Sequence, residues 1–430
     1  MTELNVGLVG FGTVGAGVAR IILDDAEAIA SRTGVRLSLR AVCDVDTTSD
    51  RGVGLPPGLL TDKLDAVLDD PEIGVVGEFV GGATFARDLI VQALDRGKHV
   101  VTANKALLAL HGRELFAHAA ACGRSISFEA SVCGGIPIIR AVRDGYVGSE
   151  ITQMMGILNG TSNYILTEMA GEGSGYAEAL EHAQQKGYAE SDPSLDVSGT
   201  DSAHKLAVLA GLAFAADIDF DRIHVEGIEG IEPSDIQFGA EMGYVLKLLA
   251  IAKSVDGELE LRVHPAFLLR RHPLAAVGGV FNAVWIRGEA TGDTMHYGRG
   301  AGRMPTAAAA VADLVDVGLG RAAVNASSFA ALSGDVAPAA VRDIAAIETH
   351  YYLRFSVADR PGVLSRISGV LGENGISIAS AKQPEQSADR DVPIVMLTHR
   401  ARERGLAKAL EEIDSLDVVK RKTQLVRIER

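Results

Sequence analysis

The residues best suited to chemistry lie in short segments that follow apolar runs. A glycine-rich loop, Gly10-Phe11-Gly12-Thr13-Val14-Gly15, comes directly after the apolar run Val6–Val9. Glycines spaced in this way at a strand-to-helix turn let backbone N–H groups and a helix N-terminus approach a pyrophosphate. The loop therefore predicts a dinucleotide site formed by Gly10, Phe11, Gly12, Thr13, Val14 and Gly15. The alternative is a glycine-rich turn without a ligand.

An acidic residue ends the second apolar run and bears on the choice of cofactor. Asp44 follows Cys43, about where a carboxylate would bind the ribose 2′-hydroxyl of NAD and repel the extra phosphate of NADP. The nearest downstream base is Arg51. The sequence therefore favours NAD over NADP, unless Asp44 only caps the turn that follows it.

Two lysines stand close to acidic or turn-forming segments. Lys105 lies just past the fourth predicted strand, at the carboxyl edge where doubly wound sheets bind ligands. A turn-rich loop carries Glu190, Asp192 and Asp196 and leads into a helix with Asp201 and Lys205. Residues four apart share one helix face. Acidic groups around a lysine suit a substrate with an ammonium group and a reacting oxygen, although a surface ion pair has the same spacing.

The elements that must position these residues change along the chain. Strands alternate with amphipathic helices over residues 1–135, which predicts an α/β fold with a doubly wound parallel sheet. The middle third predicts an α+β domain, with strands at 151–158, 258–264 and 283–286 and helices over 163–215 and near 239–253. The tail predicts the ferredoxin-like order βαββαβ, with strands at 352–357, 376–382, 392–398 and 418–427 and helices at 363–374 and 402–412.

Charge marks the last domain boundary. Residues 351–430 carry 14 basic and 11 acidic side chains, whereas the first 350 residues carry a net charge of −18. We expect a Rossmann-type NAD(P)-binding domain at 1–136 that helix 305–320 completes, and a second domain at 137–304. A linker at 321–350 and a small domain at 351–430 would follow.

Composition excludes several classes of protein. The chain has 430 residues and a net charge of −15, so attraction to nucleic acid is not expected. No apolar run is long enough to predict a membrane span, and no basic signal segment is evident. Three cysteines are too few for a disulfide framework and predict a cytoplasmic protein. The histidines form no zinc motif.

Together these motifs resemble homoserine dehydrogenase over essentially the whole chain. The shared segments include Leu158-Asn159-Gly160-Thr161-Ser162-Asn163-Tyr164 and Gly300-Ala301-Gly302-Arg303-Met304-Pro305-Thr306. The resemblance implies NAD(P)-dependent interconversion of L-homoserine and L-aspartate 4-semialdehyde. Lys205 would handle the proton of the reacting oxygen, and Lys105 would lie near the nicotinamide. Glu190 and Asp201 would hold homoserine.

The resemblance also implies contacts beyond the substrate. Gly187 and Gly302 would contact the cofactor, and a monovalent cation, Na⁺ or K⁺, would be bound by Glu129, Val132, Gly134 and Ile136. Many family members that use NADP have an arginine where this chain has Cys43, which strengthens the preference for NAD. The domain at 137–304 would bind the substrate, catalyse the reaction and mediate dimerisation, and a homodimer or homotetramer is expected.

The tail resembles the ACT domain, an amino-acid-sensing module. The resemblance rests on Asp359-Arg360-Pro361-Gly362-Val363-Leu364 and Asn374-Gly375-Ile376. Family members with this tail are commonly inhibited by threonine, so the implied effector site comprises Asp359, Gly362, Val363, Leu364, Asn374 and Ile376. A purely structural tail is the alternative.

Three other functions remain open at this point. Aspartate-semialdehyde dehydrogenase would use Cys133 as a nucleophile, but no histidine lies near it in sequence. Phosphoglycerate dehydrogenase joins similar domains, but its nucleotide fingerprint lies inside the chain. An amino-acid-sensing Rossmann–ACT regulator without catalysis would need a binding element for nucleic acid or protein, and no basic helix is evident.

Overall fold

The computed structural model describes residues 1–322, 338–383 and 391–430. The strands are β1 (Thr2–Val9), β2 (Val35–Cys43), β3 (Leu60–Thr61), β4 (Val75–Glu78), β5 (His99–Thr102), β6 (Ile126–Ser127), β7 (Ile151–Ile157), β8 (His224–Val225), β9 (Tyr244–Val255), β10 (Glu258–Leu269), β11 (Phe281–Gly288), β12 (Gly292–Arg299), β13 (Glu348–Val357), β14 (Ile378–Lys382), β15 (Val392–Thr398), β16 (Ala401–Arg402) and β17 (Val419–Glu429). The helices are α1 (Thr13–Thr33), α2 (Asp65–Leu68), α3 (Thr84–Asp95), α4 (Lys105–Ala121), α5 (Ile138–Arg140), α6 (Gly160–Glu172), α7 (Tyr176–Gln185), α8 (Ser194–Val197), α9 (Thr200–Ala213), α10 (Pro233–Glu241), α11 (Arg303–Gly318), α12 (Val363–Glu373) and α13 (Glu403–Asp414).

The chain forms two compact units, each assembled from separate segments. Unit 1 comprises the described residues of Met1–Gly160, Asp201–Ile223 and Val280–Ala339, and unit 2 comprises those of Thr161–Thr200, His224–Gly279 and Ala340–Arg430. The expected domain 137–304 therefore contributes to both units. The expected linker 321–350 lies partly outside the described residues, and its described part includes the start of β13. The domain boundaries stay a prediction.

A parallel sheet organises the first 130 residues of unit 1. Its strand order is β3-β2-β1-β4-β5-β6, and every neighbouring pair is parallel. Near-continuous apolar strands of this kind are buried by crossover helices on both faces. The predicted doubly wound sheet is confirmed. Its order reverses between β1 and β4, where such folds bind ligands.

Helix α11 returns from the distant end of unit 1 to the parallel sheet. Its buried residues Ala307, Ala310 and Leu314 share one apolar core with the strands and with α1. A Cβ added at Gly17 of α1 would lie 2.8 Å from the Cβ of Ala307. Glycine therefore permits this close helix packing.

Unit 1 also contains an antiparallel sheet in the order β12-β11-β7. Trp285 on β11 is buried, as expected for a core residue. β12 was not predicted, because its residues alternate only between exposed and half-buried positions and carry little apolar signal.

Unit 2 is built on a sheet in the order β9-β10-β17-β13-β15-β14. The predicted helix near 239–253 is wrong over most of its length, because Tyr244–Val255 form β9 and only α10 before it is helical. β9 pairs with β10 along twelve residues and is buried over most of that length. A long apolar run buried on both faces has no alternation that separates strand from helix.

The tail of unit 2 has the predicted order of elements, β13-α12-β14-β15-α13-β17, with the short β16 paired to β13. Helices α12 and α13 contribute Ile367, Leu371 and Leu406 to a core that the strands share. The ferredoxin-like fold is thus confirmed. Its strand β17 also pairs in parallel with β10, which makes the tail part of one larger sheet.

Among the described helices, none is both long enough and apolar enough to cross a membrane.

Candidate active site

The glycine loop has the geometry that its sequence predicts. Gly10 has a φ of +97°, and a Cβ there would lie 2.5 Å from the carbonyl of Phe79. A Cβ at Gly15 would lie 1.9 Å from the carbonyl oxygen of Gly10. At Gly12, which caps α1, a Cβ would meet no described atom within 4 Å. The first and third glycines therefore serve packing, while the second leaves room for a ligand to approach the backbone.

Asp44 lies beside this loop at the carboxyl end of β2. Its carboxylate accepts hydrogen bonds from the backbone N–H of Phe11 and from that of Asp46. The bond to Phe11 fixes the acidic group at the mouth of the loop, where the ribose of a dinucleotide would lie. The loop and Asp44 are thus brought together, as predicted.

The neighbours of Asp44 differ in exposure. Cys43 is 6% exposed, and burial raises the pKa of its thiol. An arginine at position 43 would therefore need a different side-chain path or local rearrangement, whereas Val45 is 98% exposed. Arg51 is paired with Asp46 at 2.7 Å, and its carbonyl accepts from Nη1 of Arg303 at 3.0 Å.

A hydrogen-bonded chain positions Lys105. Glu78 is fully buried at the end of β4, and its Oε2 accepts from the hydroxyl of Thr102 at 2.6 Å. The Thr102 hydroxyl accepts from the N–H of Asn104, and the Asn104 side chain caps α4 by accepting from the N–H of Leu107 at 3.1 Å. Because α4 begins at Lys105, these hydrogen bonds fix the position of the lysine backbone at the start of the helix.

Sequence reasoning missed Glu78. Burial raises the pKa of its carboxyl group, while hydrogen bonds from Thr102 and the following backbone oppose that shift. The available signal was an acidic residue ending the apolar strand Val75–Glu78, at the carboxyl edge where ligands bind.

Both candidate lysines converge on Asp201. Its Oδ2 lies 2.6 Å from Nζ of Lys205, and its Oδ1 lies 3.0 Å from Nζ of Lys105. The side-chain amide of Asn159 donates to Oδ2 at 2.9 Å, and Nζ of Lys205 also donates to the carbonyl of Leu158 at 2.7 Å. Residues distant in sequence thus form one charge cluster within unit 1.

The cluster is largely buried, and its charges act on one another strongly. Asp201 is 6% exposed and Lys205 is 8% exposed, so the alternative of a surface ion pair is wrong. Burial by itself would raise the pKa of the Asp201 carboxyl group, but Lys205 and Lys105 outweigh it and hold that pKa well below its usual range. One permanent anion between two cations leaves a net positive charge, which can stabilise a developing alkoxide.

The remaining predicted contacts lie on loops. Gly187 has a φ of +72° and follows α7, and Glu190 is exposed shortly after it, both in unit 2. The carbonyl of Tyr188 between them accepts from the hydroxyl of Thr161 at 2.7 Å. Gly302 belongs to unit 1, has a φ of +120° and caps α11. Their contacts with cofactor or homoserine stay predictions.

The buried carboxylate of Glu129 is already engaged by the protein. It accepts from the N–H of Ile139 and of Arg140 at 2.9 Å each, and lies 3.4 Å from the Arg140 guanidinium. Burial and the nearby Asp313 raise the pKa of Glu129 to about 7. Burial also raises the pKa of Asp313 to about 6. These contacts do not support the Glu129 side chain as a cation ligand.

The loop after Glu129 keeps some features that suit a cation. Cys133 has a φ of +51°, an unusual conformation for a residue with a side chain. Within the described residues, the carbonyl oxygens of Val132 and Gly134 accept no hydrogen bond, whereas that of Ile136 accepts from the N–H of Ile138 at 2.7 Å. Carbonyl oxygens suit a hard monovalent ion, and the site stays a prediction.

Cys133 does not have the properties of a nucleophile. It is 1% exposed, and burial raises the pKa of its thiol to about 12. Reactive cysteines are accessible thiolates with a lowered pKa. The structure therefore gives no support to the alternative of an aspartate-semialdehyde dehydrogenase.

Some residues of the predicted effector site are exposed, and others lie in the apolar core. Gly362 has a φ of +90° and caps α12, and Asp359 and Leu364 are exposed beside it. Val363 and Ile376 are buried in the apolar core of the tail. The Asn374 side chain donates to the carbonyl of Val370 at 2.9 Å, so one of its N–H groups is engaged within the helix.

Comparison with known proteins agrees with these features. Sequence profiles match residues 10–129 as the NAD-binding domain of homoserine dehydrogenase, 137–315 as homoserine dehydrogenase and 351–418 as an ACT domain. Homoserine dehydrogenase of Pseudomonas aeruginosa is 40% identical over 434 residues and that of Bacillus subtilis is 42% identical over 431 residues. The alignments cover 100% of this chain with 100% and 99% of the two relatives.

A solved structure extends this similarity to the fold. The crystal structure of a homoserine dehydrogenase from Thiobacillus denitrificans superimposes with a TM-score of 0.92 at 42% identity, covering 100% of this chain and 99% of that one. This chain therefore belongs to the homoserine dehydrogenase family and is an NAD(P)-dependent oxidoreductase.

Proposed function

We propose that this chain interconverts L-homoserine and L-aspartate 4-semialdehyde, and that the cluster of Lys105, Asp201 and Lys205 carries the chemistry. The observation that carries this proposal is the Asp201 carboxylate, which lies 3.0 Å and 2.6 Å from the two lysine nitrogens. A nicotinamide cofactor bound at the glycine loop supplies or accepts the hydride.

Lys205 serves as the proton-transfer group. Its Nζ is anchored by Asp201 and by the carbonyl of Leu158, and both acceptors stabilise an ammonium. In the reducing direction Lys205 donates a proton to the aldehyde oxygen as the carbonyl carbon is reduced. In the oxidising direction it must first be neutral so that it accepts the hydroxyl proton. Since a free lysine has a pKa of about 10.4, oxidation is expected to improve at alkaline pH.

Lys105 and Asp201 have different tasks. The side chain of Lys105 is 40% exposed, so its ammonium can contact a bound substrate while Asp201 holds it. The Asp201 carboxylate is occupied by two lysines and one amide, which suits a positioning residue better than a direct ligand of the homoserine ammonium. Glu190, exposed on its loop, is the remaining candidate for that ammonium.

Replacing Lys205 tests this assignment. Lys205→Met keeps an unbranched side chain that is one atom shorter and removes the proton donor, so kcat should fall about 100- to 10,000-fold while cofactor affinity changes little. Lys98→Met is the matched control. Lys98 is also buried, but it lies just before β5, and its ammonium donates to the carbonyls of Asp70 and Ile73. Near-normal turnover in Lys205→Met would overturn the assignment.

We infer NAD as the preferred cofactor, because the Asp44 carboxylate lies beside the glycine loop, where it would meet the ribose of a bound dinucleotide, and Arg51 is already paired with Asp46. NAD should then be used with a kcat/KM at least equal to that for NADP. Strong selectivity for NADP would contradict the inference and point to Arg303, whose guanidinium lies at the same loop.

Threonine inhibition through the tail is also proposed. Gly362 is left-handed at the start of α12, and a helix N-terminus of this kind can bind an amino-acid carboxylate. Among the described strands, one edge strand of the tail's sheet pairs with β10 and the other edge is β14, which is the candidate for pairing with a second chain in a dimer or tetramer. Deleting 351–430 is a poor test, because it removes β17 from the sheet of unit 2.

A further inference from the structure

A second group of side chains with metal-binding chemistry lies at the ends of α3 and α4, within unit 1. Asp95 is the last residue of α3, His118 lies in the last turn of α4, and Cys122 directly follows that helix. Nε2 of His118 lies 2.8 Å from Oδ1 of Asp95 and 3.7 Å from Sγ of Cys122. The same Oδ1 lies 4.0 Å from Sγ.

These separations are close to those of a tetrahedral metal centre. Zn²⁺ bound at its usual distances holds a nitrogen and a sulfur ligand about 3.5 Å apart, and an oxygen and a sulfur ligand about 3.6 Å apart. The nitrogen-to-oxygen separation in such a centre is about 3.4 Å. A shift of about 0.6 Å in the Asp95 carboxylate or the His118 ring therefore converts the existing triangle into one face of a tetrahedral coordination shell.

The cluster is built by local structure and is open to solvent. His118 and Cys122 are four residues apart, so they share one face of α4 and its C-terminal turn. Asp95 is exposed, and His118 and Cys122 are half-buried. Nε2 of His118 and the Asp95 carboxylate are paired. Sγ of Cys122 lies within hydrogen-bonding distance of both groups, so three potential ligand atoms already converge.

The ligand types indicate which metal fits. Thiolate, imidazole and carboxylate together suit Zn²⁺ and related divalent transition metals, whereas Mg²⁺ and Ca²⁺ prefer oxygen ligands. A second group, Glu168, Glu172 and His182 in unit 2, has no sulfur. There the Glu168 carboxylate accepts a hydrogen bond from Nδ1 of His182 and raises the pKa of that imidazole, so an ordinary ion pair accounts for this group.

We propose that Asp95, His118 and Cys122 bind one divalent transition-metal ion of the zinc class, with water in the fourth position. On binding, the Cys122 thiol loses its proton to solvent and the ion joins the C-terminal ends of α3 and α4. This site is separate from the monovalent-cation loop after Glu129, and it does not depend on the proposed reaction.

Cobalt provides a direct test, because Co²⁺ replaces Zn²⁺ and reports on its ligands. Titration of the reduced, metal-free protein with Co²⁺ should produce a thiolate-to-cobalt charge-transfer band that saturates at one equivalent. Cys122→Ser should remove this band, since Cys43 and Cys133 are buried. Both Cys122→Ser and His118→Asn should weaken Zn²⁺ binding at least about tenfold in calorimetry.

Two control variants make the result specific. His111→Asn changes another histidine of α4 and should retain the band and the affinity. His182→Asn removes the ligand group in unit 2 and should leave the charge-transfer band unchanged. A wild-type protein without the band at saturating Co²⁺, or equal Zn²⁺ affinity in wild type, Cys122→Ser and His118→Asn, would overturn the proposal.

Discussion

Asp201→Asn is the perturbation that separates positioning from simple stability. The carboxylate lies 2.6 Å from Nζ of Lys205 and 3.0 Å from Nζ of Lys105. At an effective dielectric constant of about 20, unit charges at such distances attract by about 5 to 6 kcal/mol per pair before desolvation is counted. Asparagine offers one acceptor oxygen, and its amide N–H₂ would face the other ammonium. The variant therefore cannot hold both lysines.

Asp201→Asn should lower both the stability of the protein and its rate of turnover. Removing one partner from a buried ion pair costs about 3 to 5 kcal/mol, so the free energy of unfolding should fall by about that amount. A shift of about 1 Å in a reacting group costs about 100-fold in rate, so kcat should fall at least about 100-fold. The expected fall in kcat follows from displacement of Lys205, the proposed proton-transfer group.

Activity must be expressed per folded active site. Turnover with homoserine is divided by the concentration of sites that bind the nicotinamide cofactor, measured by fluorescence titration. Asp217→Asn is the matched control, because Asp217 forms an ion pair with Arg113 at 2.6 Å that is only partly shielded from solvent. That control should alter stability by about 1 kcal/mol or less and leave kcat unchanged. A kcat for Asp201→Asn within about threefold of wild type per folded site would refute the positioning role.

Three further predictions concern the cofactor, the effector and pH. Val45→Arg should raise kcat/KM for NADP relative to NAD by about tenfold or more, since an exposed guanidinium beside Asp44 can pair with the 2′-phosphate; an unchanged ratio in steady-state kinetics would contradict the assigned ribose position. Millimolar threonine should bind the full-length chain in calorimetry and inhibit it, and Asp359→Ala should weaken both effects together; no heat of binding would leave the tail a structural role. The raised pKa of Glu129, about 7 against an ordinary 4.5, means that the folded state retains a proton which the unfolded state loses, so stability falls as pH rises from about 4.5 to 7. The full effect is about 3 kcal/mol. The charged groups that act on Glu129 are Asp313 and Arg140, and Arg140 also pairs with Asp316. Thermal unfolding from pH 5 to 8 should show this decline in wild type and in the exposed control Glu150→Gln, but a flatter profile in Glu129→Gln; parallel profiles would contradict it.

The parts of the fold that sequence predicted best have a strong local signal. The glycine loop combines a positive φ at Gly10 with a contact at Gly15 that no other residue tolerates, so its sequence is nearly dictated by its shape. The tail was predicted element by element because its strands and helices are short and clearly bounded. β9 was mistaken for a helix because its run is apolar on both faces, and only pairing with β10 makes it a strand.

The sequence predicted which residues form the site but not which of them contact one another. Spacing four residues apart put Asp201 and Lys205 on one face, but sequence could not show that both are buried. Lys105 reaches Asp201 across almost a hundred residues, which only tertiary structure reveals. The exposed position next to Asp44 is Val45 and not Cys43, because Cys43 closes β2 with its side chain in the core. Burial of single positions depends on neighbours that are distant in sequence.

Turnover of the purified full-length chain with homoserine and with aspartate 4-semialdehyde, each with NAD(H) and with NADP(H), decides whether the proposed reaction takes place. Absorbance of the reduced nicotinamide follows both directions. We expect homoserine-dependent reduction of NAD that increases toward alkaline pH, and semialdehyde-dependent oxidation of NADH. A folded protein that binds cofactor but turns over neither substrate with either cofactor would contradict it.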